Sequence, residues 1–310
     1  LQRTGVRFFP FCLATGDIRV YLANRNHDTS TPNVKIQIGS LSSNQDPVQL
    51  LNQLKNWLNH FGVVVKRENV CRGDICADFK VPIEETGALN IDQLITRAVN
   101  TSIHTTNRKT TGIFIGKGDI AARIYNKQIE MIVKRDLEKL LFFNDQIWKT
   151  HPTEPVTRVE VQYRGQVLKQ LFNGEDVSLE TFMKALPGLW ANFTQCWLRV
   201  SDSPVDRKNN NQAHSKISDF WQKVQKASSV VVAPMERIRK QLHINIPDLK
   251  KQVAGCLLTI CAGLGHVHDD IQGMIETGQD LVKNVVYDLV NDPRFKQRHL
   301  SKQLSAIVSF

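Results

Sequence analysis

Three short segments of this chain set charged or acidic side chains at alternate positions. Arg72, Asp74, Cys76 and Asp78 alternate within CRGDICADF. Arg123, Tyr125 and Lys127 alternate within ARIYNK, with Glu130 just beyond, and Arg158, Glu160 and Gln162 alternate within TRVEVQYR. Residues two apart on a β-strand share a face. Each segment therefore offers one polar face and turns Ile75, Ala77, Phe79, Ile124, Val159 and Val161 to the other. Paired carboxylates on neighbouring strands suit a hard divalent cation, Mg2+ or Mn2+, which prefers oxygen ligands. Asp74 and Glu160 are the leading ligand candidates, followed by Asp78 and Glu130. Such an ion polarises a phosphate and stabilises charge that develops on its oxygens. Arg123, Lys127 and Arg158 would complete the clamp, arginine by two-pronged contact and lysine as a point charge.

Tyr125 lies between two of these cations on its strand face. Nearby positive charge favours the phenolate of a group whose ordinary pKa is about 10, which makes Tyr125 a candidate nucleophile. A tyrosine attacking a phosphodiester leaves a covalent phosphotyrosine and a free hydroxyl. That arrangement suits nicking followed by resealing, because the bond energy is retained. Any one of these strands alone is equally a solvated face with cross-strand ion pairs, and a lone strand tyrosine is ordinary packing. Three such strands on one basic chain are what favour a metal–phosphate site.

The elements that position these residues follow from periodicity. Asp17–Ala23 and Asn33–Ile38 are β-rich. Asp46, Pro47 and Gly62 punctuate a helix whose apolar stripe is Leu50, Leu51, Leu54 and Leu58. A second helix is predicted over Asn90–Val99, with Leu94, Ile95 and Val99 facing inward. Gly112–Met131 reads as two strands about a GKGD turn, Lys134–Phe143 as a helix, and the span from Gln166 to Val200 as further helices. The polar, Asn-rich stretch 204–215 reads as a linker. Beyond it Lys216–Lys226, Pro247–Leu264 and His266–Leu289 are helical. The expected fold class is α+β: an antiparallel-rich N-terminal sheet domain with packed helices (1–203), the linker (204–215), and an α-helical C-terminal region (216–310).

Composition sets the outer bounds. The 310 residues are 41% apolar, ample for a core, and 40 Lys+Arg against 30 Asp+Glu leave a net charge of +10. That balance favours a polyanionic partner, with nucleic acid foremost. The six cysteines show no paired spacing, which excludes a zinc knuckle or disulfide framework and fits a reducing cytoplasm. No signal peptide is visible, although the chain begins at Leu1. The apolar run near Val253–Val267 is shorter than the roughly 18–20 residues that span a bilayer, so no membrane association is expected.

The segments CRGDICADF, TGIFIGKGDIAARIYNKQIE and TRVEVQYRG, in this order, resemble the signature of the replication initiation factor family. That family comprises rolling-circle initiators of plasmids and filamentous phages and related nicking proteins of integrative elements. Its pattern is met here by Arg72, Asp74 and Asp78; Ile115 and Gly116; Arg123, Ile124, Tyr125, Asn126, Lys127 and Glu130; and Arg158 and Glu160. The likeness extends upstream to FFPFCLATGDIRVYL and PNVKIQIGS, and weakly downstream to HSKISDFW, covering about two thirds of the chain. The turn after Gly116 is shorter than in many plasmid initiators.

The resemblance implies that Tyr125 becomes joined to the 5′ phosphate at the nick, leaving a 3′-OH, with the acids binding a divalent metal. It further implies melted or single-stranded origin DNA as substrate. Any duplex unwinding would fall to a host helicase. A single poised tyrosine favours a homodimer, since a second transesterification needs a second phenol. A conjugative relaxase, a non-catalytic origin-binding protein and a metal-dependent hydrolytic nuclease are the other readings.

Other signals carry less. His266-Val267-His268 spells a metal-clamp triplet, but in a helix residues two apart do not share a face. Lys117 is followed by neither Ser nor Thr, so GIFIGKGD is not a nucleotide-binding loop. Lys208, Arg237, Arg239, Lys240, Lys250 and Lys251 read as solvated faces with scope for phosphate contact. The five tryptophans read as packing residues.

Overall fold

Alternation of polar and apolar residues resolves into strands that pair throughout in antiparallel fashion. The computed structural model describes residue 6 and residues 8–23, 32–42, 45–151, 154–206, 212–228, 230–237, 246–266 and 270–292. In chain order the strands are β1 (Phe11–Thr15), β2 (Ile18–Leu22), β3 (Val34–Gln37), β4 (Arg72–Phe79), β5 (Leu94–Thr96), β6 (Thr101–Thr106), β7 (Lys109–Ile115), β8 (Ile120–Asn126), β9 (Thr157–Arg164) and β10 (Leu198–Val200). Strands β1–β3 form a small sheet, β5 pairs with β10, and the principal sheet runs β4-β9-β8-β7-β6.

The helices are α1 (Pro47–His60), α2 (Lys127–Val133), α3 (Leu137–Phe142), α4 (Gly165–Leu171), α5 (Leu179–Lys184), α6 (Leu186–Ala191), α7 (Asp219–Gln225), α8 (Ile246–Gly263) and α9 (Ile271–Asn291). The α+β class and the order, sheet domain first and helices last, agree with the sequence expectation. Helix α1 starts where predicted, because the Asp46 carboxylate accepts from the N–H groups of Val48 (2.9 Å) and Gln49 (3.2 Å). Two helices are prolonged by wider turns of π type, α3 through Phe143–Trp148 and α6 through Asn192–Trp197.

One face of the principal sheet is the core. Ile113, Ile115, Ala122, Ile124, Val159, Val161 and Tyr163 are fully buried against Val167, Leu168, Leu189, Phe193 and Trp221. Each such large apolar side chain contributes about 1.5–3 kcal/mol through burial. The polar ends of the buried aromatics are satisfied. The Tyr163 hydroxyl donates to the Leu189 carbonyl at 2.8 Å, the Trp190 indole to Val224 at 2.8 Å, and the Trp221 indole to Thr194 at 2.9 Å.

Four sequence expectations fail here. Residues 127–131, expected as strand, lie in α2, and Leu198–Val200, expected as helix, is β10. Asn90–Val99 is not a helix. Ile91–Gln93 makes one 3-10 turn capped by Asn90, and Leu94–Thr96 then pairs with β10. Apolar residues at 94, 95 and 99 fit a helix by spacing, but Ile95 and Thr96 are β-branched and a partner strand is in reach. Val99 is 94% exposed rather than inward. The domain boundary also moves. Phe220, Trp221 and Val224 of α7 belong to the sheet's core, so the first compact unit runs Leu1–Arg237 and the second Ile238–Phe310. A polar stretch at 204–215 is therefore a surface loop within the first unit, as far as residues 204–206 and 212–215 describe it.

The second unit is a hairpin of α8 and α9. His266 closes its turn, with Nδ1 2.7 Å from Asp270 Oδ2 and Nε2 2.9 Å from Thr277 Oγ1, and Asp270 caps α9 through the Gly273 N–H. His266 is thus engaged in the turn, and His268 lies outside the described residues. Among the described residues no helix is long and apolar enough to cross a membrane.

Replacing Trp221 by Ala is expected to lower global stability by about 3–5 kcal/mol in denaturant unfolding of the full chain. An unchanged sheet-unfolding transition would place α7 outside the core.

Candidate functional site

The opposite face of the principal sheet collects the polar residues in two rows. Antiparallel register sets Asp78 against Arg158 and Arg158 against Tyr125 in one row. It sets Cys76 against Glu160 and Glu160 against Arg123 in the next. The first row continues through Gly112 on β7, the second through Phe114. β8 passes directly into α2, because the Asn126 side chain caps the helix by accepting from Ile129 N–H at 2.9 Å. That cap leaves Lys127 at the start of the helix with its ammonium 5.6 Å from the centre of the Tyr125 ring.

Glu160 is the centre of the arrangement. Its Oε1 accepts from Arg123 Nη1 at 2.6 Å, and its Oε2 accepts from the Tyr125 hydroxyl at 3.0 Å. Tyr125, Arg123 and Glu160 thus converge as the sequence predicted. Arg158 is committed elsewhere. It is 5% exposed and grips Asp78 with two prongs, Nε to Oδ1 at 2.6 Å and Nη2 to Oδ2 at 2.7 Å. The Trp148 indole donates to the same Asp78 at 2.7 Å, and Phe143 lies 5.2 Å beneath the guanidinium. Lys127, also 5% exposed, donates to Glu130 at 2.7 Å. Of the three expected clamp cations, Arg123 alone keeps substantial access, with 30% of its side chain exposed.

The phenol departs from expectation. Its pKa is held above the ordinary value, first by burial and then by the negative charge of Glu160; the pull of Arg158 in the other direction is smaller. Tyr125 is therefore a neutral phenol that donates to Glu160, not a phenolate. Burial, with repulsion from Arg158, pushes the Lys127 ammonium down, while Glu130 holds it up. Burial also works against the charge of Arg158, but Asp78 outweighs it and the guanidinium is held above its usual range.

The expected metal set does not assemble. Asp74 is taken by the Arg72 guanidinium (2.9 Å from Nε) and by Gln162 Nε2 (3.0 Å), and Glu130 by Lys127 and Lys134. Asp78 and Glu160 are occupied as described. Among the described residues no three His, Cys, Asp or Glu side chains converge on a point that could hold an ion. The Gln162 Oε1 is buried without a partner, but one open amide oxygen beside the Arg72-paired Asp74 is not a metal site. The residues as arranged do not fit a divalent cation.

Three contributors escaped the sequence reading. Trp148 and Phe143 fix Arg158 and Asp78, and only the fold brings them to the sheet. Gly112 is the third. A Cβ there would stand 2.7 Å from the Tyr125 Cβ and 3.2 Å from the Ile124 carbonyl oxygen, so β7 must lack a side chain here for β8 to approach as it does at Tyr125. A glycine inside a strand pattern is the signal that could have found it.

In comparisons with known proteins, this chain matches no family model and no curated protein.

Two outcomes follow from the geometry. At pH 10, near an ordinary phenol's midpoint, wild type and Tyr125→Phe should show equal phenolate absorbance; a deficit in the variant would mean that Tyr125 titrates normally. Calorimetric titration with Mn2+ should show no saturable binding at these acids. Binding that Glu160→Gln abolishes would overturn that reading.

Proposed function

We propose that this chain is a rolling-circle replication initiator that nicks DNA by transesterification at Tyr125. The supporting observation is the Tyr125 hydroxyl at 3.0 Å from Glu160 Oε2, with Arg123 on the other oxygen at 2.6 Å. The three segments that carry the family resemblance meet on this one face.

In the reaction the phenol oxygen attacks the scissile phosphorus while its proton passes to Glu160. The bond to the 3′ oxygen breaks, that oxygen takes a proton from water and leaves as a 3′-OH, Glu160 gives its proton up to solvent, and the 5′ phosphate stays on Tyr125. A phenol held above its ordinary pKa needs this acceptor in the transition state, because it does not ionise beforehand. The exposed part of Arg123 meets the phosphate oxygens and stabilises charge there. Lys127 and Arg158 contribute through the field they set around the phenol. Resealing is the same path reversed, with the 3′-OH as attacking group.

The substrate is origin DNA, single-stranded or locally melted, so that the scissile bond can line up with the phenol. Residues 117–119 lack the chemistry of a nucleotide-binding loop, which leaves unwinding to a host helicase. The described residues bring one tyrosine to this face, and a second strand transfer calls for a second copy, so the working form is a homodimer in the cytoplasm. The unit of α8 and α9 is the segment offered to the origin, the second copy or the helicase. The full pairing of every acid favours one other reading, a protein that holds origin DNA on the same face without cutting it.

Incubation with labelled single-stranded origin DNA separates the two. A denaturation-resistant adduct mapping to Tyr125 is expected, absent in Tyr125→Phe and formed about 10²–10⁴-fold more slowly in Glu160→Gln. Binding without any adduct supports the non-cutting protein. A free 5′ phosphate end would indicate hydrolysis.

A further inference from the structure

The row that carries Glu160 and Arg123 does not stop at the catalytic pair. It crosses β7 at Phe114 and reaches β6, where Ser102 is the register partner of Phe114 and His104 that of Gly112. Three side chains stack along this part of the face. The Arg123 guanidinium lies 5.4 Å from the Phe114 ring centre, and the His104 ring lies 4.0 Å from Phe114 with a tilt of 39°. His104 is exposed at the outer end, Phe114 half-buried behind it. On the other side of the same strand Ile113 and Ile115 are fully buried, so Phe114 is not held on this face for want of a core position. The hairpin beyond His104 turns at Asn107 and Arg108, both in left-handed backbone, and presents Arg108 and Lys109 to solvent.

We propose that His104, backed by Phe114, is a stacking platform for one unpaired base of the strand whose backbone Arg123 engages. The inference rests on the reading of Tyr125 as a DNA-directed nucleophile and adds a subsite to it. A flat ring at the solvent end of a cation–aromatic stack offers what a splayed base requires, a π surface with positive charge beside the phosphate. Every base has a π face, so the platform grips without reading sequence, and the exposed cations of the hairpin turn meet the adjoining phosphates. A base held here fixes the register of the strand. The neighbouring phosphate is then delivered toward Tyr125, whose row His104 shares through Gly112.

The test compares binding of the full chain to two labelled single strands of equal length, oligothymidine and its abasic counterpart. Wild type should prefer the strand with bases. His104→Ala should lose about tenfold in affinity for oligothymidine and little for the abasic strand, whereas His104→Phe should keep the preference. Arg123→Ala should weaken both strands alike. Equal losses on the two strands in His104→Ala, or no loss, would overturn the platform, and the Tyr125 adduct would still be judged by its own assay. Failure of wild type to bind either strand would overturn the platform and the nicking reading together.

Discussion

A strand buried on both faces can carry charged side chains only if every one of them is paired. β9 is such a strand, with Val159, Val161 and Tyr163 in the core and Arg158, Glu160 and Gln162 enclosed on the other side. An isolated ion in those surroundings is costly enough to be neutralised or expelled. The arrangement of the whole face follows. Asp78 comes from β4 to Arg158, Arg123 comes from β8 to Glu160, and the Tyr125 hydroxyl fills the oxygen that remains. The two charged partners, Asp78 and Arg123, each sit on a neighbouring strand at the register position directly opposite, and Tyr125, opposite Arg158, reaches Glu160 on the diagonal, so sheet pairing and charge pairing enforce one another.

That mutual enforcement decides which residues are free to do chemistry. Arg158 is locked by two bonds to Asp78, by the aromatic ring below it and by the tryptophan that shares its acid. Removing Asp78 would leave the buried guanidinium uncompensated, at about 3–5 kcal/mol. Such a residue shapes the field and does not move to meet a substrate. Arg123 differs in being partly open, and Tyr125 differs in being a neutral donor whose proton already points at an acceptor. An arrangement that matches four acids with five cations has assembled charge for rigidity at most positions, and of the three expected clamp cations it leaves one guanidinium, with one phenol, for use.

The sheet and its polar face were legible because a strand's period is two, and charges at alternate positions in three segments leave few other structures open. The cap at Asp46 and the stop at Gly62 were legible for the same local reason. What was not legible depended on distance in the chain. Leu94, Ile95 and Val99 have helical spacing, and only the arrival of β10 about a hundred residues later makes the segment a strand. Phe220 and Trp221 follow a polar, Asn-rich stretch that reads as a boundary, yet the sheet's core reaches past it to claim them. The same limit applies to the site. Sequence spacing brings acids and cations to one face but cannot say whether an acid will face another acid or an arginine. Alternation made Asp74, Asp78 and Glu160 a metal set, whereas the register set an arginine or glutamine against each. The phenol's protonation turned on that difference: cations two residues away along the strand matter less than burial and the Glu160 carboxylate on the neighbouring strand.

Arg123 is where the fold and the proposed reaction compete for one group. While its guanidinium holds Glu160, the charge of the carboxylate is compensated. A phosphate arriving beside Arg123 takes a share of that positive charge and brings negative charge of its own. Both changes alter the balance of charge around the hydrogen bond from Tyr125 to Glu160. The same phosphate strengthens the phenol's hold on its proton, so ionisation before attack becomes less favourable still. Proton transfer is then useful only as the oxygen–phosphorus bond forms, when the phenol's charge passes to the phosphate. In the proposed reaction the substrate therefore meets the pair through Arg123, which both holds Glu160 and is open to solvent.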